Sequence, residues 1–318
     1  MAHGSRHGRR PEDVIRLLGR AAGLSLVCWL LAMSAAKAQS GRFSSSWPGT
    51  DFSRTSVDLD EIISGGPPRD GIPAILDPDF IPASEEARLD DREPVITFLP
   101  DTGPARAYPI RYLIWHEIVN DVVDGEPVAV TFCPLCNTGM VFEAELDGLV
   151  LTFGVSGLLR HSDMIMYDHQ TESWWQQATG EGIVGEMTDQ RLNQLPAWME
   201  SWAAFRLAHP DGLVLDEPDW QRAYGTNPYR SYDTTRPFLY SGEDPPHDVP
   251  PLARVVRVGE RAWPLSRVRE AGRIAESGFT LTWEEGQASA LDTGEIASGR
   301  EVGNVRVVDA DGQNVVHD

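Results

Sequence analysis

The feature that most narrows the fold is a run, residues 128–186, in which strand signals follow one another with hardly a break. It reads V-A-V-T-F-C-P-L-C-N-T-G-M-V-F-E-A-E-L-D-G-L-V-L-T-F-G-V-S-G, then L-L-R-H-S-D-M-I-M-Y-D-H-Q-T-E-S-W-W-Q-Q-A-T-G-E-G-I-V-G-E. The apolar residues 128–132 suit a strand buried on both faces. Pro134 has no amide hydrogen for a sheet ladder, so that strand is expected to stop at Cys133. Asp147-Gly148 separates two alternating runs, 140–146 and 149–155, and predicts a two-residue hairpin turn between them. A Gly-rich turn at 154–157 is expected to follow. In 163–168, alternation sends Asp163, Ile165 and Tyr167 one way and Met164, Met166 and Asp168 the other. The expected fold class is therefore α+β and β-rich: a single, mainly antiparallel-sheet domain with a few helices.

Outside this stretch the signals are sparser. Residues 39–93 are rich in Ser, Pro, Gly and Asp and show little periodicity, so they read as an extended, irregular N-terminal arm. Residues 94–99 make the first convincing strand. Residues 110–122 place Ile110, Leu113, Ile114 and Ile118 on one helical face, and predict a helix buried on two sides. Trp198, Trp202 and Phe205 recur at helical spacing, so 192–209 also reads as helical. A loop-rich segment, 213–251, carries Tyr224, Tyr229, Tyr232 and Tyr240 and is expected either to form a rim over the site or to pack back onto the core. Short strands are expected at 255–258, 262–265, 279–283 and 302–308.

The chain opens with Arg6, Arg9, Arg10, Arg16 and Arg20, then an apolar segment, 21–36, then Ala36-Lys37-Ala38. Basic leader, short apolar region and small-x-small site together predict a secretory signal peptide, residues 1–38, and a periplasmic or secreted mature protein. The apolar segment is short for a membrane span. With Lys37 against Glu12 and Asp13 the leader carries +4, so the net charge of −21 becomes −21 − 4 = −25 after cleavage. Such a surface repels nucleic acid and anionic lipid. Cleavage also removes Cys28, leaving Cys133 and Cys136 as the only cysteines.

Three chemistries fit Cys133-Pro134-Leu135-Cys136. A transition metal, copper or zinc, is held by two thiolates on one turn, which is half a site. A structural disulfide closes too short a loop to stabilise much. A thiol redox pair normally has one cysteine at a helix N-terminus, whereas here a strand follows. His161 and Asp163 are the candidate partners that complete a metal site. Met164 and Met166 would add soft ligands for Cu(I), but also suit the core. Glu117 and Asp121, four residues apart, are candidate acidic support and need partners if buried. His116-Glu117-Ile118-Val119-Asn120 lacks the second histidine of the helical zinc motif H-E-x-x-H. Trp174 and Trp175, beside two glutamines, offer an aromatic platform for a ligand or a packed core. Gly180, Gly182 and Gly185 match no phosphate loop.

Taken in order, W-H-E-I-V-N-D, T-F-C-P-L-C-N-T-G, F-G-V-S-G-L-L-R-H-S-D-M-I-M-Y-D and T-E-S-W-W-Q-Q-A-T-G-E resemble the bacterial DUF3179 family, a domain of unknown function. R-A-Y-G-T-N-P-Y and Q-A-S-A-L-D extend the resemblance toward the C-terminus. It implies a β-rich exported domain, residues 94–318, and transfers no activity or catalytic residue. Two function classes follow from the residues. One is an exported metal-binding or thiol redox protein built on Cys133, Cys136, His161 and Asp163. The other is a non-catalytic ligand-binding or scaffold module with an inert disulfide. Either serves a small ligand or a partner protein, with no nucleic acid and no membrane anchor once the leader is removed.

The leader makes a direct prediction: the exported form begins at Gln39. N-terminal sequencing of that form checks it, and an intact Met1 terminus would contradict both cleavage and the compartment.

Overall fold

The computed structural model describes residues 41–237, 239–240, 244–313 and 315, so the expected leader and its cleavage site lie outside the described residues. The chain forms mainly antiparallel sheets with three short helices among the described residues. In chain order the arm supplies β1 (Ile62–Ser64) and β2 (Phe80–Pro82), and β3 (Pro94–Phe98) and β4 (Arg106–Pro109) follow. Helix α1 is Ile110–His116. Then come β5 (Ile118–Val123), β6 (Glu126–Cys133), β7 (Thr138–Glu143), the ribbon β8 (Glu145–Leu146) and β9 (Leu149–Val150), and β10 (Phe153–Arg160). The remaining elements of the main body are β11 (Asp163–Asp168), β12 (Trp174–Gln176), β13 (Glu181–Val184), β14 (Gln194–Leu195), β15 (Ala197–Ser201), α2 (Trp202–Ala208) and β16 (Leu213–Leu215).

Three sheets result, ordered β1-β10-β11-β12-β13, β14-β7-β6-β5 and β15-β3-β4-β16-β2. Every pair is antiparallel except β4 with β16. The second sheet lies in the middle, and the period of two explains how one strand serves two cores. On β6, Val128, Val130 and Phe132 join the core shared with α1 and the third sheet. Ala129 and Cys133 join the core shared with Met164, Met166 and Trp175 of the first sheet. Between these layers, Asn120 of β5 donates from Nδ2 to the Phe153 carbonyl at 2.9 Å and accepts the Phe153 amide at 2.7 Å. A side chain thus stitches β5 to β10 where no ladder runs.

Several expectations are corrected here. The helix expected over 110–122 ends at His116, because Glu117 takes φ 60° and the β-branched Ile118–Val123 continues as a strand. The segment expected as helical over 192–209 is helical only in its second half, and its first half forms two short strands. Pro196 separates β14 from β15, and α2 begins only where the Ser201 hydroxyl caps it by accepting the Ala204 amide. The Asp147-Gly148 turn is present, with both residues left-handed (φ 51° and 81°), but it joins only the two-residue ribbon. Strands β7 and β10, expected to pair, belong to different sheets. The glycines at 154–157 are not a turn but a bulge inside β10, and the turn comes later at His161-Ser162, both left-handed (φ 52° and 68°).

The arm is tied down by aromatic contacts and by strand addition. Phe43, Trp47 and Phe52 meet the Trp174 ring edge-on at 5.1, 5.3 and 5.4 Å. Arg69 lies over the rings of Trp47 and Tyr167 at 4.6 and 4.2 Å. The Gly65 amide then donates to the Gly157 carbonyl at 2.8 Å, which lays residues 64–72 along the β10 bulge. Gly157 has φ +74°, and a Cβ there would stand 2.1 Å from the Pro67 carbonyl oxygen, so only glycine admits this approach. Toward the C-terminus, β17 (Val255–Val258) pairs with β18 (Arg261–Pro264), and α3 (Leu265–Ala271) leads into the three-stranded sheet of β19 (Arg273–Glu276), β20 (Phe279–Glu284) and β21 (Asn304–Asp309). Trp263, Val268, Leu281 and Val307 form its separate small core.

Candidate functional site

Cys133 is the last residue of β6, opposite Thr138 at the start of β7, and Cys136 lies in the loop that joins the two strands. Since Cys133 points at the first sheet, it faces the start of β11, where the left-handed turn at His161-Ser162 delivers Asp163. One thiol sulfur from each cysteine and one carboxylate oxygen of Asp163 lie within 4.8 Å of one another. The Cys136 thiol donates to Asp163 Oδ1 at 3.2 Å, and the Cys133 thiol donates to the Ser162 carbonyl at 3.9 Å. The other carboxylate oxygen, Oδ2, accepts from the Ala178 amide at 3.0 Å and from Gln176 Nε2. The carboxylate is therefore held by one oxygen and presents the other to the sulfurs, the arrangement that orients a metal ligand.

The electrostatics of this group are one-sided. Asp163 is buried and takes part in none of the ion pairs among the described residues. Burial pushes its carboxyl up, against the hydrogen bonds from Ala178 and Gln176. Burial also pushes the Cys136 thiol well up, helped by the neighbouring Cys133 and by the charge of Asp163. Cys136 and Asp163, buried without a basic partner among the described residues, favour either protonation or a bound cation.

His161 and Asp121, expected nearby, stand apart from this group. His161 is turned outward by its left-handed backbone, its ring part-exposed and Nε2 3.6 Å from Glu61 Oε2. Asp121, on β5 rather than on a helix with Glu117, accepts from Arg106 at 2.5 Å and from the Tyr108 hydroxyl at 2.6 Å. Trp174 and Trp175 lie on opposite faces of β12, both fully buried, and present no platform to a ligand. Their burial follows from β12 being an inner strand, flanked by β11 and β13. His116 is also buried and fully engaged, by the Pro73 carbonyl at Nδ1 and the Tyr224 hydroxyl at Nε2, each at 2.7 Å.

Glu117 is the fourth acid of interest, and it is close by. It is 7% exposed and lines a cavity of about 590 Å³ together with Ile72, Leu135, Val155, Met164, Tyr229 and Tyr232. No hydrogen bond or ion pair engages its carboxylate among the described residues, and burial alone pushes its pKa up to about 8. Leu135 sits between the two cysteines, so the cavity reaches the Cys133–Cys136 turn. A second opening, of about 350 Å³, includes Cys136 itself. Gln176 was not singled out as an orienting residue by the sequence. Strand pairing opposite Ile165, one residue beyond the buried tryptophans, is what brings it to Asp163.

A family model described as "Protein of unknown function (DUF3179)" matches residues 69–317, and the chain belongs to that family. The match begins within the segment 39–93, where residues 69–76 lie along β5 and β10. No curated protein and no solved structure matches the chain.

Glu117 makes a signed prediction. Its folded pKa, about 8, lies above its ordinary value of 4.5, so its contribution to stability is greatest below about pH 4.5 and is lost as pH rises to about 8. The loss is at most about 5 kcal/mol. Glu117→Gln removes it: urea unfolding should show variant and wild type alike near pH 4.5 and the variant more stable at pH 8. Parallel stability curves for the two proteins across that range would contradict the assignment.

Proposed function

We propose that this DUF3179 protein is exported and binds a transition metal ion, zinc in the first instance, through Cys133, Cys136 and Asp163. The observation that carries this reading is the gathering of the three ligand atoms within 4.8 Å, with Asp163 Oδ2 held by Ala178 and Gln176. Two thiolates and a carboxylate suit zinc, and three protein ligands leave a position for water or substrate. A carboxylate is a hard ligand for Cu(I), which would instead draw on Met164, buried in the same cluster as Cys133. A thiol redox pair is less well supported, because its attacking cysteine needs a lowered pKa and burial here pushes Cys136 the other way. The export half of the reading rests on the basic leader, the short apolar segment and Ala36-Lys37-Ala38. Among the described residues, no helix is long and apolar enough to cross a membrane.

The expected outcome is one zinc per chain in purified protein, with two thiols titrating only after chelation. Cys133→Ser and Cys136→Ser should each abolish stoichiometric binding, since a hydroxyl does not replace a thiolate. Gln176→Leu should weaken binding roughly 10- to 100-fold by freeing the carboxylate it orients. His161→Gln should leave affinity unchanged, and Met164→Leu should matter only when copper is supplied. Equal metal content in wild type and both cysteine variants, or a metal-free Cys133–Cys136 disulfide in the exported protein, would remove the site.

A further inference from the structure

Glu117 sits at a position where the chain incurs two costs at once. It follows the last residue of α1 with φ 60°, a conformation that glycine adopts freely and other residues rarely. Such backbone strain recurs at active sites and ligand clamps, although in this chain positive φ also occurs at turn residues such as Asp124 and Asp147. The carboxylate so placed is 93% buried (7% exposed), lacks any partner among the described residues, and opens into the cavity described above. It is not among the atoms gathered around Cys133, Cys136 and Asp163.

We propose that this cavity binds an organic cation, a protonated primary amine with an apolar body, whose ammonium group pairs with Glu117. The wall is chiefly apolar, from Ile72, Leu135, Val155 and Met164, and takes the hydrocarbon part. Tyr229 and Tyr232 also line the cavity, and aromatic rings attract a cation held over them. The charge of Glu117 reaches Tyr229, whose phenol is raised by burial first and by that carboxylate next, so the acid and the ring share one space. A cavity of about 590 Å³ has room for a small amine and its water. A hard metal ion is a poorer occupant, since it wants six or more oxygens and this wall offers one carboxylate. Arg230, exposed at the rim, lays its guanidinium over Gly294, and no ion pair joins it to Glu117 among the described residues. The strongly acidic chain, net −21, also draws cations toward the mouth. This reading stands apart from the metal site and survives its failure.

The test is calorimetric titration of the purified protein, in the presence of a chelator, with 2-phenylethylamine, n-hexylamine and the neutral 2-phenylethanol. The wild type should bind at least one amine, and 2-phenylethanol should bind roughly 10- to 100-fold more weakly than 2-phenylethylamine, the range a charge-assisted hydrogen bond confers. Glu117→Gln should lose a similar factor for the amines and none for the alcohol, while thermal melts show it folded. Glu126→Gln, which removes an exposed carboxylate from β6, should keep wild-type affinity. Binding of neither amine, equal binding by wild type and Glu117→Gln, or an equal loss in Glu126→Gln would each overturn the proposal.

Discussion

Strand β6 is the constraint on which the rest of the molecule depends. It is buried on both faces, so its alternation must satisfy two cores at once. Val128, Val130 and Phe132 face α1 and the third sheet, while Ala129 and Cys133 face the first. A one-residue slip in register would exchange these sets and carry Cys133 away from β11. Pro134 then forbids the ladder to continue, and the turn it starts holds Cys136 back toward the same face. The thiol geometry is thus fixed by packing that has nothing to do with chemistry.

The partner atoms are delivered by a second hairpin, β10–β11, whose turn residues His161 and Ser162 are both left-handed. That turn does two things. It throws His161 out toward Glu61 and swings Asp163 in beneath the cysteines. Two buried acids result, held in different ways. Asp163 is anchored by Gln176 and Ala178, so its burial is partly compensated and its free oxygen is aimed. Glu117 has no such anchor among the described residues, and burial pushes its pKa up to about 8. Anchored and unanchored carboxylates a short way apart suit different guests: an ion that needs fixed ligand geometry, and an ammonium that brings its own three donors.

The sequence made the β-rich class legible because alternation and turn chemistry are local signals. The apolar run 128–132, the stop at Pro134 and the alternation of Met164 and Met166 against Ile165 and Tyr167 all appear as read. What it did not make legible was the pairing of distant strands. Asp147-Gly148 specified a turn, yet nothing in β7 or β10 announced that they would enter different sheets. Residues 110–122 match a helical template, yet the β-branched half of that run is better used as β5 once Glu117 breaks the helix. In the site, Cys133, Cys136 and Asp163 were all visible as candidates, but the choice of Asp163 over His161 turned on two left-handed residues that no periodicity reports. Glu117 was singled out for the wrong surroundings, a helix face shared with Asp121. Its isolation became apparent only when the arm and Tyr229 closed the cavity over it.

The central claim, that two thiolates and a carboxylate from these two hairpins hold one metal ion, is tested most directly by X-ray absorption at the zinc edge on zinc-loaded protein. The account predicts two sulfur scatterers at about 2.3 Å and two oxygen scatterers near 2.0–2.2 Å, with no imidazole signature. A first shell of nitrogen and oxygen alone, or clear histidine scattering, would contradict it.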